Sequence, residues 1–96
     1  MPEHKISEFE KWDHLQVQLA LLFKEKDITR VELMDEGIGL LKAIVEKAGE
    51  AAPLNFSERF TFIQNNKHNY TAFKQLDELF KETKKKLARL RAQNLK

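Results

Sequence analysis

The side chains that could do chemistry here are few and scattered. The chain has three histidines and no cysteine. His4, His14 and His68 lie in three separate segments, and none forms an H-x-x-x-H or Glu-x-x-His pair. Glu10 and His14 stand one helical turn apart and would supply half a metal site, whereas a divalent ion wants three or four protein ligands. That pair is expected to be a solvated i,i+4 contact. His68 has no serine or acidic residue near it in sequence with which to build a proton relay.

The carboxylate pairs Asp35-Glu36 and Asp77-Glu78 are no better placed. Adjacent helical residues point about 100° apart, so neither pair converges on one atom as general acid–base work needs. Both are expected on solvated helix faces. The chain carries no nucleophile elbow, no phosphate loop and no metal-binding constellation, and a lone G-x-G at Gly37 and Gly39 is no nucleotide signal. No catalytic, cofactor-binding or metal residue is predicted, and the chain is not expected to be an enzyme.

Charge offers a different kind of candidate. Residues 81–96 carry seven Lys/Arg against one Glu, +6 in all, so that with +2 for the chain the other eighty residues sum to −4. Lys81, Lys84, Lys85, Lys86, Arg89 and Arg91 are the candidate nucleic-acid contacts, since a basic stripe on a helix can neutralise phosphates in a salt-dependent way. The simpler explanation is that cations near a helix C-terminus oppose the macrodipole and keep the outer face soluble. No aromatic residue interleaves with them past Phe80, so a stacking platform for single strands is missing there.

The elements that must carry these residues are helical. Ser7-Glu8-Phe9-Glu10 is an S-x-x-E capping box, followed by Trp12, Leu15, Leu19 and Leu22 at spacings of three and four. Val17, Ala20, Leu21 and Phe23 make this first helix apolar almost all round, so it is expected either to sit centrally or to offer a second face to another subunit. Thr29-Arg30-Val31-Glu32 reads as a second capping box, before a stripe of Val31, Met34, Ile38, Leu41, Val45 and Ala48. Gly37 and Gly39 interrupt that stripe at roughly 1 kcal/mol each relative to Ala, which suits close helix–helix approach, with a kink or hinge as the alternative. Lys47 and Gly49 mark its end, and Glu50-Ala51-Ala52-Pro53 connects onward. Asn55 or Ser57 can cap a shorter helix carrying Phe56, Phe60 and Ile63. Phe73, Leu76, Phe80, Thr83, Leu87 and Leu90 form the cleanest seam of all.

Between the last two helices lies FTFIQNNKHNYTAF (60–73). Its flanks are rich in strand-favouring Thr, Phe, Tyr and Ile, so a hairpin is a fair alternative. Asn-Gly and Asp-Gly are missing, however, and no third strand is available to pack a lone hairpin. The preferred reading is helix–corner–helix, with Asn69 as N-cap and Asn65, Asn66, His68 and Tyr70 as a candidate partner surface.

Together these readings predict one all-α domain over 1–96, a small antiparallel bundle of about four helices (roughly 7–26, 30–48, 56–65 and 69–93), frayed at 1–6 and 94–96. The apolar content, 42%, suits a globular domain, and the small size implies marginal stability or self-association. The charged N-terminus lacks an apolar h-region, no run approaches a membrane span, and the missing cysteines fit a reducing compartment. A cytoplasmic protein without a membrane role is expected. The layout is similar to that of many short four-helix regulators and adaptors, by size and pattern alone. The expected function is a non-catalytic, regulatory or adaptor module for protein–protein interaction, a homodimer among the candidate states. The alternative is a nucleic-acid-binding accessory protein using the basic C-terminal helix.

Overall fold

The computed structural model describes residues 7–94. Four helices follow one another: α1 (Glu8–Glu25), α2 (Thr29–Lys47), α3 (Phe56–Asn65) and α4 (Tyr70–Asn94), with a 3₁₀ turn at Gly49–Ala51 between α2 and α3. Among the described residues there is no strand. The expected fraying at 1–6 and 95–96 lies outside those residues, while Asn94 still belongs to the last turn of α4.

Local chemistry sets the ends. Ser7 Oγ accepts from the Glu10 N–H at 3.2 Å, which caps α1 as its sequence predicts. At the other end Lys26 adopts the left-handed conformation (φ 56°), its N–H reaching Phe23 O while Asp27 N–H reaches back to Leu22 O at 2.9 Å. This is a Schellman closure with lysine where glycine is usual. The Thr29 capping box does not form. Asp27 is the acceptor instead, taking the Thr29 N–H at 2.9 Å, because the Schellman turn brings its side chain to the head of α2. Asn55 precedes α3, also left-handed (φ 56°), but its side chain makes no cap bond. Asn69 does cap α4, accepting from the Thr71 N–H at 3.0 Å. The corner is therefore helix–corner–helix, and the hairpin is ruled out.

Contacts fix the packing directions. Glu8 at the start of α1 meets Lys47 at the end of α2, and Phe9 and Trp12 meet Phe80 while Phe23 meets Phe73 and Tyr70. So α1 runs antiparallel to both α2 and α4. Arg59 on α3 reaches Glu82, well along α4, so these two also run antiparallel. Both α2 and α4 touch every other element, whereas α1 touches only those two. Those two helices hold the centre, and α1, expected either to sit centrally or to offer a second face outward, lies to one side. The reason lies in where the apolar residues fall: α4 buries Ala72, Phe73, Leu76, Leu79, Phe80 and Thr83, a broad arc, whereas α1 fully buries Trp12, Leu15 and Leu19 on a narrow one.

The indole of Trp12 is buried in the core. It stacks on Phe80 at 4.5 Å with 8° between planes, and its far edge lies against Gly37 of α2. A Cβ at Gly37 would come within 2.5 Å of Trp12 Cζ3. Close approach thus explains Gly37. It does not explain Gly39, whose Cβ would meet nothing within 4 Å.

Candidate interaction surfaces

One carboxylate departs from its expected place. Asp77, foreseen on a solvated face, is 9% exposed; its Oδ1 accepts the Trp12 indole N–H at 3.0 Å and its Oδ2 pairs with Lys81 at 3.0 Å. The helical seam of α4 turns Asp77 towards α1, where the indole needs an acceptor once its ring is buried. The Lys81–Asp77 hydrogen bond, and then the carboxylate's charge, raise the Lys81 pKa above its ordinary value. Asp77 is thereby a structural fastening. Its neighbour Glu78 is exposed, as expected.

The six basic candidates do not share one surface. Lys81 is engaged by Asp77, and Lys86 Nζ donates to the Ala52 carbonyl at 2.8 Å, tying α4 to the connector after the 3₁₀ turn. Lys84 and Arg91 lie on the α1 flank, around a depression they share with Ser7, Glu10 and Asp13. Lys85 and Arg89 lie on the other flank, beside Pro53, Leu54 and Glu82. Helical geometry forces this split, because Lys84 and Lys86 are about 160° apart around the axis. Glu82 is in turn claimed by Arg59, which forks onto it at 3.0 and 2.6 Å. This two-pronged bond holds the Glu82 pKa below, and the Arg59 pKa above, their ordinary values.

The corner is tied down at several points. Asn65 is exposed, and Asn66 Nδ2 donates to Phe62 O at 2.8 Å. His68 is exposed while its carbonyl accepts from Arg30 Nε at 3.2 Å, and Lys67 pairs with Asp35 at 2.7 Å. Tyr70 is 54% exposed, its ring edge on Phe23 at 5.8 Å. The four candidate residues are thus neighbours in a corner held against the N-terminal turns of α2. His14 is exposed on α1, far along the chain from His68, and among the described residues no group of three or more His, Asp or Glu could hold a metal ion. His4 lies outside the described residues.

One concavity was not foreseen. It is a groove of about 540 Å³ along α1 and α2, floored by Leu15, Leu40, Ala43 and the bare backbone of Gly39. Lys11, His14 and Gln18 edge it from α1, and Glu36 from α2. Glu8 closes one end, paired with Lys47 at 3.2 Å; its own backbone N–H and that lysine lower its pKa. One signal in the sequence pointed here, the two glycines of α2, yet only packing could say which glycine borders the groove.

Fold and surfaces together define a small all-α bundle whose exposed features are an apolar groove and a basic helix. Among the described residues no helix is long and apolar enough to cross a membrane. Residues 46–95 match the family model described as YpoC-like protein, and the chain belongs to that family. The matched span takes in α3 and α4 with their Arg59–Glu82 and Lys86–Ala52 ties, while α1 and most of α2 precede it. No curated protein and no solved structure matches the chain.

Proposed function

We propose that this chain is a non-catalytic protein–protein interaction module of a regulatory or adaptor kind, cytoplasmic, working through the exposed side of α1 and α2. The observation that supports it is the second apolar face of α1. Val17 and Leu21 are 67% and 54% exposed although the same helix already buries Trp12, Leu15 and Leu19. Scattered surface apolar residues need no explanation, but these two stand one turn apart on the side of α1 turned away from its buried face, and a paired apolar surface of this kind suits a partner. The test is in-cell cross-linking of the tagged chain against a Val17→Glu/Leu21→Glu variant, with quantitative identification of bound polypeptides. The reading requires specific polypeptides to disappear from the variant, and an unchanged set rejects it.

A second reading, a nucleic-acid accessory protein, draws on Lys84, Lys85, Arg89 and Arg91, which are exposed and have no ion-pair partner within 4.0 Å among the described residues. Phosphate contacts by these four would give binding that weakens steeply with salt. Anisotropy titrations with random-sequence DNA and RNA at low salt test it, and it fails without binding by the wild type or without loss in the fourfold Ala variant.

A further inference from the structure

The connector between α2 and α3 is fastened to both α3 and α4 around a leucine that it turns outward. Lys86 Nζ donates to the Ala52 carbonyl at 2.8 Å, and Arg59 Nη1 donates to the Leu54 carbonyl at 3.2 Å. Pro53 between them is buried, and Asn55 after them is left-handed (φ 56°). Leu54 is nonetheless 78% exposed, the most exposed large apolar side chain among the described residues. A lone surface leucine is ordinary, but this one stands on a backbone held at two carbonyls, beside a charged concavity.

That concavity, of about 220 Å³, is lined by Pro53, Leu54, Glu82, Lys85, Lys86 and Arg89. Three cations face one carboxylate there, and the carboxylate is already engaged, because Arg59 forks onto Glu82 at 3.0 and 2.6 Å. Glu78, the next carboxylate along this stripe of α4, is about 10 Å from Lys85 on the axis, a distance at which salt screens it. Lys85 and Arg89 have no ion-pair partner within 4.0 Å among the described residues. The unsatisfied charge of the site is therefore all positive.

This charge and its spacing select the occupant. Lys85 and Arg89 are one turn apart, about 6 Å along the axis, which matches alternate side chains of an extended peptide at about 6–7 Å. Carboxylates at that spacing would pair with both, while an aliphatic side chain between them packs on Leu54 and Pro53. Nucleic acid fits less well. No aromatic residue lines the site for a base to stack on, and Leu54 offers a phosphate nothing. Lys84 and Arg91, which would lengthen the row of phosphate contacts, lie on the α1 flank.

We propose that this surface docks a short acidic segment of a partner protein, with two carboxylates on Lys85 and Arg89 and an aliphatic side chain on Leu54. All its residues fall within 46–95, the span that matches the YpoC-like family, whereas Val17 and Leu21 precede it. The proposal adds to the reading of the chain as an interaction module and uses none of the α1 residues on which that reading stands.

Selection of phage-displayed random dodecamers on the full chain, followed by anisotropy titration of the synthesised peptides, tests it. Enriched sequences are expected to combine two or more Asp or Glu with Leu, Ile or Val, and to bind with a dissociation constant on the order of 10–100 µM. Lys85→Glu/Arg89→Glu and Leu54→Glu are each expected to weaken that binding by at least about tenfold, with unchanged circular dichroism. Lys84→Glu/Arg91→Glu, on the other flank, should change it by less than about threefold. A peptide with its acids replaced by lysine should prefer the Lys85→Glu/Arg89→Glu chain to wild type, a reversal that misfolding cannot produce. Selection without acidic and aliphatic enrichment overturns the proposal, as do selected peptides that bind either variant as well as wild type. Random-sequence DNA or RNA bound through Lys85 and Arg89 where the peptides are not makes this a phosphate-binding flank, and the proposal fails. If the peptides fail while Val17→Glu/Leu21→Glu removes specific cross-linked polypeptides, this surface is refuted and the interaction module stands. If the peptides behave as expected and that variant loses nothing, the α1 surface is refuted and this one stands.

Discussion

Replacing Asp77 by leucine isolates the buried hydrogen bond between two side chains in the core. Trp12 is 2% exposed and has a single polar atom, which donates to Asp77 Oδ1 at 3.0 Å. Leucine keeps the branching of the side chain and offers no acceptor. An indole N–H left unpaired in the interior costs about 1–3 kcal/mol, part of which the added apolar burial offsets. Lys81, 69% exposed, returns to water, and losing an ion pair so open contributes little. The expected loss is therefore about 2 kcal/mol, against a total stability of about 5–15 kcal/mol for a domain of this size. Asp77→Asn keeps an oxygen for the indole and should lose about 1 kcal/mol or less. Urea denaturation followed by tryptophan fluorescence is the natural assay, because Trp12 is the only tryptophan and reports on the bond itself. At a slope of about 1–1.5 kcal/mol/M, the leucine variant should unfold more than about 1 M earlier. A leucine variant within about 0.5 kcal/mol of wild type, or an asparagine variant just as damaged, would refute the reasoning.

Other substitutions test other parts of the structure. Gly37→Ala should destabilise by about 1–2 kcal/mol, since overpacking against the Trp12 ring outweighs the gain in helix propensity, whereas Gly39→Ala should stabilise the chain by about 1 kcal/mol; thermal melts of the pair check the contrast. Lys26→Gly should add about 1 kcal/mol by relieving the left-handed lysine of the Schellman turn, read as a raised urea midpoint. Glu82 carries a folded pKa depressed below 4.5, so its stabilisation is present above that unfolded value and is lost as pH falls through the folded one. With its side chain 44% exposed, the contribution is about 0.5–1 kcal/mol, and Glu82→Gln should flatten the fall in stability below about pH 4.5 without changing the profile above it.

The helices were legible in the sequence because their signals are local. Three- and four-residue spacing placed all four within a residue or so, and Ser7 and Asn69 cap where side-chain chemistry says they should. The second cap was misread because Asp27 and Thr29 both suit the position, and the Schellman turn that chooses between them depends on backbone geometry after α1. The basic residues of α4 were legible as a cluster, but their division onto two flanks is fixed by which arc of the helix the core claims. Adjacency in sequence made Asp77 look like half of a solvated pair.

What the sequence determined by itself, then, was periodicity and capping: an all-α chain with good helix ends, one overly apolar helix and a basic last helix. Tertiary structure alone decided that α2 and α4 are central, that Asp77 fastens Trp12, that Gly37 lies beneath the indole while Gly39 borders an open groove, and that Val17 and Leu21 of α1 face outward. The physical reason is range. Helix propensity and caps act over three or four residues, whereas the Trp12–Asp77 bond spans 65 positions and the groove exists only once two helices lie side by side.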